Sequence, residues 1–162
     1  MARIDEELKS RFESEQQKAM LNVLFTAAWF RNQQVDHFKP FGISPQQYNI
    51  LRILRGARDR MNMHCVKERM IDRAPNATRL TDKLIAKGLV ERERCEEDRR
   101  VVYVRISAKG LEMLDRIDQA GRMDMERTTQ SLTTEQAEQL NRLLDGWREL
   151  ATTPKKDNAR TK

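Results

Sequence analysis

Asn76, Arg79, Asp82 and Lys83 follow one another at steps of three, three and one, between Pro75 and Gly88. At 100° per residue these four side chains share one arc of a helix, and Ala77, Leu80, Leu84 and Ile85 share the other. The apolar arc requires a core to cover it. The polar arc is a row of hydrogen-bonding groups on a rigid rod, suited to the major groove of DNA. There Arg and Lys pair with guanine edges and Asn with adenine edges. Pro75 has the fixed φ of a first helical turn and Gly88 suits a C-terminal cap, so the helix is predicted from Pro75 to Lys87.

A second group of charges lies just beyond Gly88. Val102, Val104 and Ile106 alternate with Tyr103 and Arg105, the period of a half-buried strand. Leu89 to Arg94 is its expected partner, and Cys95-Glu96-Glu97-Asp98-Arg99-Arg100 the tip joining them. With a short scaffold helix predicted from Met63 to Ile71, the pattern is that of a winged helix-turn-helix. Nothing resembles a catalytic site: His37 and His64 lie far apart, and no nucleophile has a base beside it, so no enzyme, cofactor or metal is expected. His64, Cys65 and Cys95 match no zinc-ligand spacing. Arg94 and Arg99 would lower the Cys95 thiol pKa while Glu96, Glu97 and Asp98 would raise it, and the residue is read as an inert surface thiol.

The segments ATRLTDKLIAKGLVERERCEEDRRVVYVRIS and AKGLEML resemble the core of the MarR family of bacterial transcription regulators. The shared features are a Thr-Arg recognition helix (Thr78, Arg79), a K-G-L-V-x-R exit, a wing with D-R-R, and a strand ending in S-x-K-G. The likeness runs from Ser44 to Leu114. It implies a homodimer binding a pseudo-palindromic operator, more often as a repressor, and often answering to a small ligand or an oxidant. It also implies that Arg100 enters the minor groove with Asp98 orienting it, while Arg99 lies along the backbone. The family's peroxide sensors carry a cysteine near the start of the first helix, and this chain has none there. The family's effector crevice lies between dimer arms and winged module and commonly takes a small aromatic acid. Trp29, Phe38, Phe41 and Tyr48 would line it here, with His37 or Arg55 as polar anchor; the other reading makes these aromatics core. A different function class stays open too, a winged-helix assembly module without specific DNA readout.

These residues need elements to hold them. The expected fold is mainly α with a small antiparallel β-wing, and helices at both termini that serve dimerisation. Residues 1–42 form an N-terminal arm, 43–108 the winged module, 109–151 the C-terminal helices and 152–162 a disordered basic tail. A chain of 162 residues can bury a core, and a net charge of +6 with 35% charged residues favours a polyanionic partner. Two cysteines without a C-x-x-C pair suit a reducing compartment, and with no apolar run of membrane-spanning length or signal segment the expected location is cytoplasmic.

In chain order, one long helix is predicted from Asp5 to Asp36, with apolar stripes too broad for a small module to cover. Pro40 and Gly42 mark a turn, and Ser44-Pro45-Gln46-Gln47 is a capping box opening a helix with Tyr48, Leu51 and Leu54 on one face. Arg52, Arg55, Arg58 and Arg60 are either phosphate contacts or solvated charge. Asp59 to Asn62 is read as loop. Ser107 can cap a helix running toward Gln130, and Thr133 with Gln136 another. Leu140, Leu143, Leu144, Trp147 and Leu150 give the last helix an apolar face, expected to meet the N-terminal helix across a two-fold axis.

Overall fold

Every helix start leaves amides without partners, and where side chains accept from them the chain changes direction. In the computed structural model, which describes residues 3–72, 76–94, 101–129 and 131–152, the Ser44 capping box is formed. The Ser44 hydroxyl accepts from the Gln47 amide at 3.2 Å, and the Gln47 side chain accepts from the Ser44 amide at 3.0 Å. Together they open helix α3, Pro45–Ala57, which turns Ile50, Leu51 and Leu54 into the core.

The order is α1 (Ile4–Glu7), α2 (Glu15–Phe38), a 3-10 turn at Lys39–Phe41, α3, β1 (Met61–Asn62), α4 (Met63–Arg69) and α5 (Ala77–Ala86). It continues with β2 (Val90–Arg94), β3 (Val102–Ile106), α6 (Ala108–Thr129) and α7 (Thr134–Thr152). The chain divides into two compact units, Met1–Ala120 and Gly121–Lys162. The first holds a single core in which Val66 of α4, Leu84 of α5, Val104 of β3 and Leu114 of α6 are all buried. The second comprises the distal part of α6 and α7. Thr133 caps α7 as expected, accepting from the Gln136 amide at 3.3 Å while the Gln136 side chain accepts from the Thr133 amide at 2.9 Å.

Three expectations need correction. The predicted Asp5–Asp36 helix is interrupted, with α1 ending at Glu7 and α2 starting at Glu15. The Ser10 hydroxyl donates to the Leu8 carbonyl at 3.0 Å, Lys9 is left-handed at φ 48°, and the Ser14 hydroxyl accepts from the Gln17 amide at 3.1 Å. These short side chains compete with the helical ladder and win. The Asp59–Asn62 loop contains a strand instead: Met61 and Asn62 pair antiparallel with Val104 and Tyr103, so the wing's ribbon is a three-stranded sheet in the order β1-β3-β2. The predicted Pro75 start falls partly outside the described residues, and α5 begins at Ala77 with Asn76 as its N-cap. Its end is as expected, at Gly88 with φ 72°.

Candidate nucleic-acid interface

The amphipathic reading of α5 holds along its length. Ala77 and Leu84 are fully buried, Leu80 and Ile85 pack against the core from its edge, and Asn76, Thr78, Arg79, Asp82 and Lys83 are exposed. Sequence reasoning missed Thr81, which is also fully buried and donates its hydroxyl to the Ala77 carbonyl at 2.9 Å. One turn after Ala77, it lies on the apolar arc; that position was the available signal. Asn76 spends no side-chain hydrogen bond on capping. Asn76 is itself exposed, so its carboxamide lies at the surface at the positive end of α5.

Asp82 is the acid on the exposed arc, and its carboxylate is occupied: Arg92 of β2 donates to it at 2.7 Å. Arg79 and Lys83 remain as the arc's cations. On the outer face of the sheet, Arg105 pairs with its cross-strand neighbour Glu91 at 2.7 Å, which raises the Arg105 guanidinium pKa above its ordinary value. Arg60, just before β1, pairs with Glu93 and lies over the Tyr103 ring at 4.7 Å from its centroid. The tip residues Cys95, Asp98, Arg99 and Arg100 lie outside the described residues.

The candidate effector residues divide into a cluster and two outliers. Phe38 stacks on Tyr48 at 4.3 Å, and His37 meets Phe38 at 5.0 Å and Phe41 at 6.1 Å. Phe38 is a member of the core, with Phe41 and Tyr48 packed against it. Trp29 lies eight residues earlier than His37 on α2, about 12 Å along its axis, where its ring meets Phe30 at 4.9 Å. Arg55 is two turns beyond Tyr48 on α3 and already ion-paired, at 2.8 Å to Asp118 and 3.9 Å to Asp115 of α6. Between Tyr48 and Arg55, Arg52 donates to the Tyr48 hydroxyl at 3.1 Å, and that hydrogen bond raises its pKa. Among the described residues, no group of three or more His, Cys, Asp or Glu is placed to hold a metal ion. Nor is any described helix long and apolar enough to cross a membrane.

Comparison with known proteins bears on this surface. The MarR family model matches residues 43–102, from the turn before α3 into β3. A solved MarR transcription factor from Planctomyces limnophilus is 35% identical, with a TM-score of 0.65 over 83% of this chain and 98% of that one. An HTH-type transcriptional regulator of Bacillus subtilis, YkoM, is 29% identical over 106 residues, spanning 65% of this chain and 68% of that protein. A mutant MarR from E. coli complexed with operator DNA shares the fold at a TM-score of 0.71 and 22% identity, over 85% of this chain and 98% of that one. With its sequence motifs, its three-stranded wing and a relative above 30% identity all in agreement, the chain belongs to the MarR family of transcription regulators, with a DNA-binding winged helix.

Proposed function

We propose that this protein is a homodimeric, sequence-specific DNA-binding repressor in which α5 reads the major groove and the wing reaches the minor groove. One observation carries the reading, the two-sidedness of α5: Ala77, Thr81 and Leu84 are buried, while Asn76, Thr78, Arg79 and Lys83 are exposed. An assembly module would present large apolar side chains on that free arc, and the described arc has none. The operator complex of the E. coli relative supports double-stranded DNA as the partner. Asn76, Arg79 and Lys83 would read base edges beside Thr78. Arg100, oriented by Asp98, would enter the minor groove, with Arg99 along the phosphates. Two-fold symmetry then calls for a pseudo-palindromic operator with half-site centres roughly 10 base pairs apart.

A small aromatic acid is the proposed effector, seated against the His37, Phe38, Phe41 and Tyr48 cluster, with Trp29 too far along α2 to share the same site. Its carboxylate would compete with Asp118 for Arg55. It releases DNA only by binding the DNA-incompetent arrangement more tightly.

Titration of operator duplexes tests the reading. Arg79→Ala is expected to cost about 1–3 kcal/mol on the preferred site and to relax discrimination among sites. Arg100→Ala is expected to reduce the salt slope by about one ion per subunit, with the larger loss on A·T-flanked sites. An Arg79→Ala protein that still separates operator from scrambled duplex as well as the wild type would sink it.

A further inference from the structure

We propose that Arg60 is a positioning residue for DNA binding, which fixes the root of the wing instead of touching DNA itself. This rests on the reading that the wing enters the minor groove. Arg60 sits immediately before β1, the edge strand that pairs with β3. Its guanidinium pairs with Glu93 of β2 and covers the ring of Tyr103 of β3. Glu93 and Tyr103 are themselves cross-strand partners. A single cation at the entry to the third strand therefore joins both arms of the ribbon.

The location gives this contact its leverage. Among the described residues, one further rung, Arg94 with Val102, lies beyond the Glu93–Tyr103 pair. A two-stranded ribbon is weakly held by itself, so the angle at which its strands leave the body is set at this level. On the side of α5, Arg92 is tied to Asp82 at 2.7 Å. On the outer side, Arg60 supplies the matching restraint. The two restraints together fix the angle at which β2 and β3 leave the body of the module.

The competing assignment makes Arg60 an ordinary basic contact to phosphate, and the two differ in sign at Glu93. Where Arg60 binds phosphate directly, neutralising Glu93 frees a cation and tightens DNA binding. Where Arg60 holds the wing through Glu93, the same change loosens binding although it removes a negative charge. Exposed ion pairs add little to global stability, so unfolding does not mimic the effect.

The experiment uses full-length protein and a duplex selected by the wild type from a random pool, prepared with A·T or G·C flanks. Arg60→Ala, Glu93→Gln and the double exchange of Arg60→Glu with Glu93→Arg are titrated beside Arg100→Ala. Thermal midpoints confirm that each variant is folded. Arg60→Ala and Glu93→Gln should each weaken binding several-fold, more on the A·T-flanked duplex, and the double exchange should recover most of the loss. Glu93→Gln binding as tightly as the wild type, or more tightly, on both duplexes overturns the proposal. If Arg100→Ala shows the flank preference and Arg60→Ala does not, the clamp alone fails. If Arg100→Ala itself lacks it, the minor-groove reading falls and the clamp with it.

Discussion

Ser107 ties β3 to α6 through its amide and its hydroxyl. Its amide donates to the Leu89 carbonyl at 3.1 Å, its hydroxyl donates to the Gly88 carbonyl at 2.7 Å, and the same hydroxyl accepts from the Gly110 amide at 3.0 Å. Lys109 adds a bond from its ammonium group to the Lys87 carbonyl at 3.0 Å. The S-x-K-G motif thus closes the C-terminal end of α5 as well as opening α6, which ties the recognition helix to the rest of the core. Gly110 has its own reason: a Cβ there would collide with the Leu89 carbonyl oxygen and approach Ile106 Cγ1 to 2.7 Å. Backbone cannot move aside as a side-chain end can. Gly110→Ala is therefore expected to lose roughly 1–3 kcal/mol of stability, the usual range for overpacking, read as a lower urea midpoint. Little change in midpoint would mean that α6 can slide away from β2 at no cost. At this scale the sequence was legible wherever a residue type has few physical uses. Thr81 was harder to read, because a threonine on an apolar arc hides its polarity by donating back along its own helix.

Helices with a strong period or a complete cap were recoverable in advance: α3, α5, α6 and α7 all start within two residues of the expected positions. β1 was not, since two residues beside Asp59 and Arg60 carry no periodicity, and their pairing is decided by β3. The break before α2 was written in the sequence but outweighed by the apolar stripes on either side of it. Ser14-Glu15-Gln16-Gln17 has the same serine-to-glutamine spacing as Ser44-Pro45-Gln46-Gln47. The two caps differ in how deeply each is tied into the core. In α3 the Gln47 side chain returns to Ser44 and is buried, whereas in α2 the Gln17 side chain reaches the Glu13 amide at 2.8 Å on an exposed surface. Replacing either serine by alanine removes a cap contributing about 1 kcal/mol. Ser44→Ala should lower the global unfolding free energy by that amount, because α3 anchors the core. Ser14→Ala should instead raise amide exchange over the first turn of α2 and leave the global value nearly unchanged. Equal losses of global stability in both variants would contradict this division.

At the scale of the whole molecule, two apolar surfaces are exposed among the described residues. On α2, Met20, Val23, Leu24, Ala27 and Phe30 form one exposed stripe, and Leu24 is 59% accessible. On α7, Leu140, Leu143, Trp147 and Leu150 are exposed, Leu143 at 65% and Leu150 at 79%, with Leu144 half-buried. Both faces were legible as helical stripes in the sequence. Their partner was not, because a stripe reports that a cover is needed and carries no information about which chain supplies it. A second copy is the proposed cover, since one two-fold axis hides both faces twice and sets two α5 helices on one operator. Loss of the dimer would therefore act on DNA binding beyond any change in the individual winged module, as two linked half-sites become two separate weak ones. Deleting residues 133–162 should produce a monomeric or aggregating protein with weak operator binding, even though Asn76, Arg79 and Lys83 are untouched. Sedimentation of the full-length chain settles the premise. A monomer at micromolar concentration would leave both stripes without the proposed partner, and the truncation would then bind operator as the intact protein does.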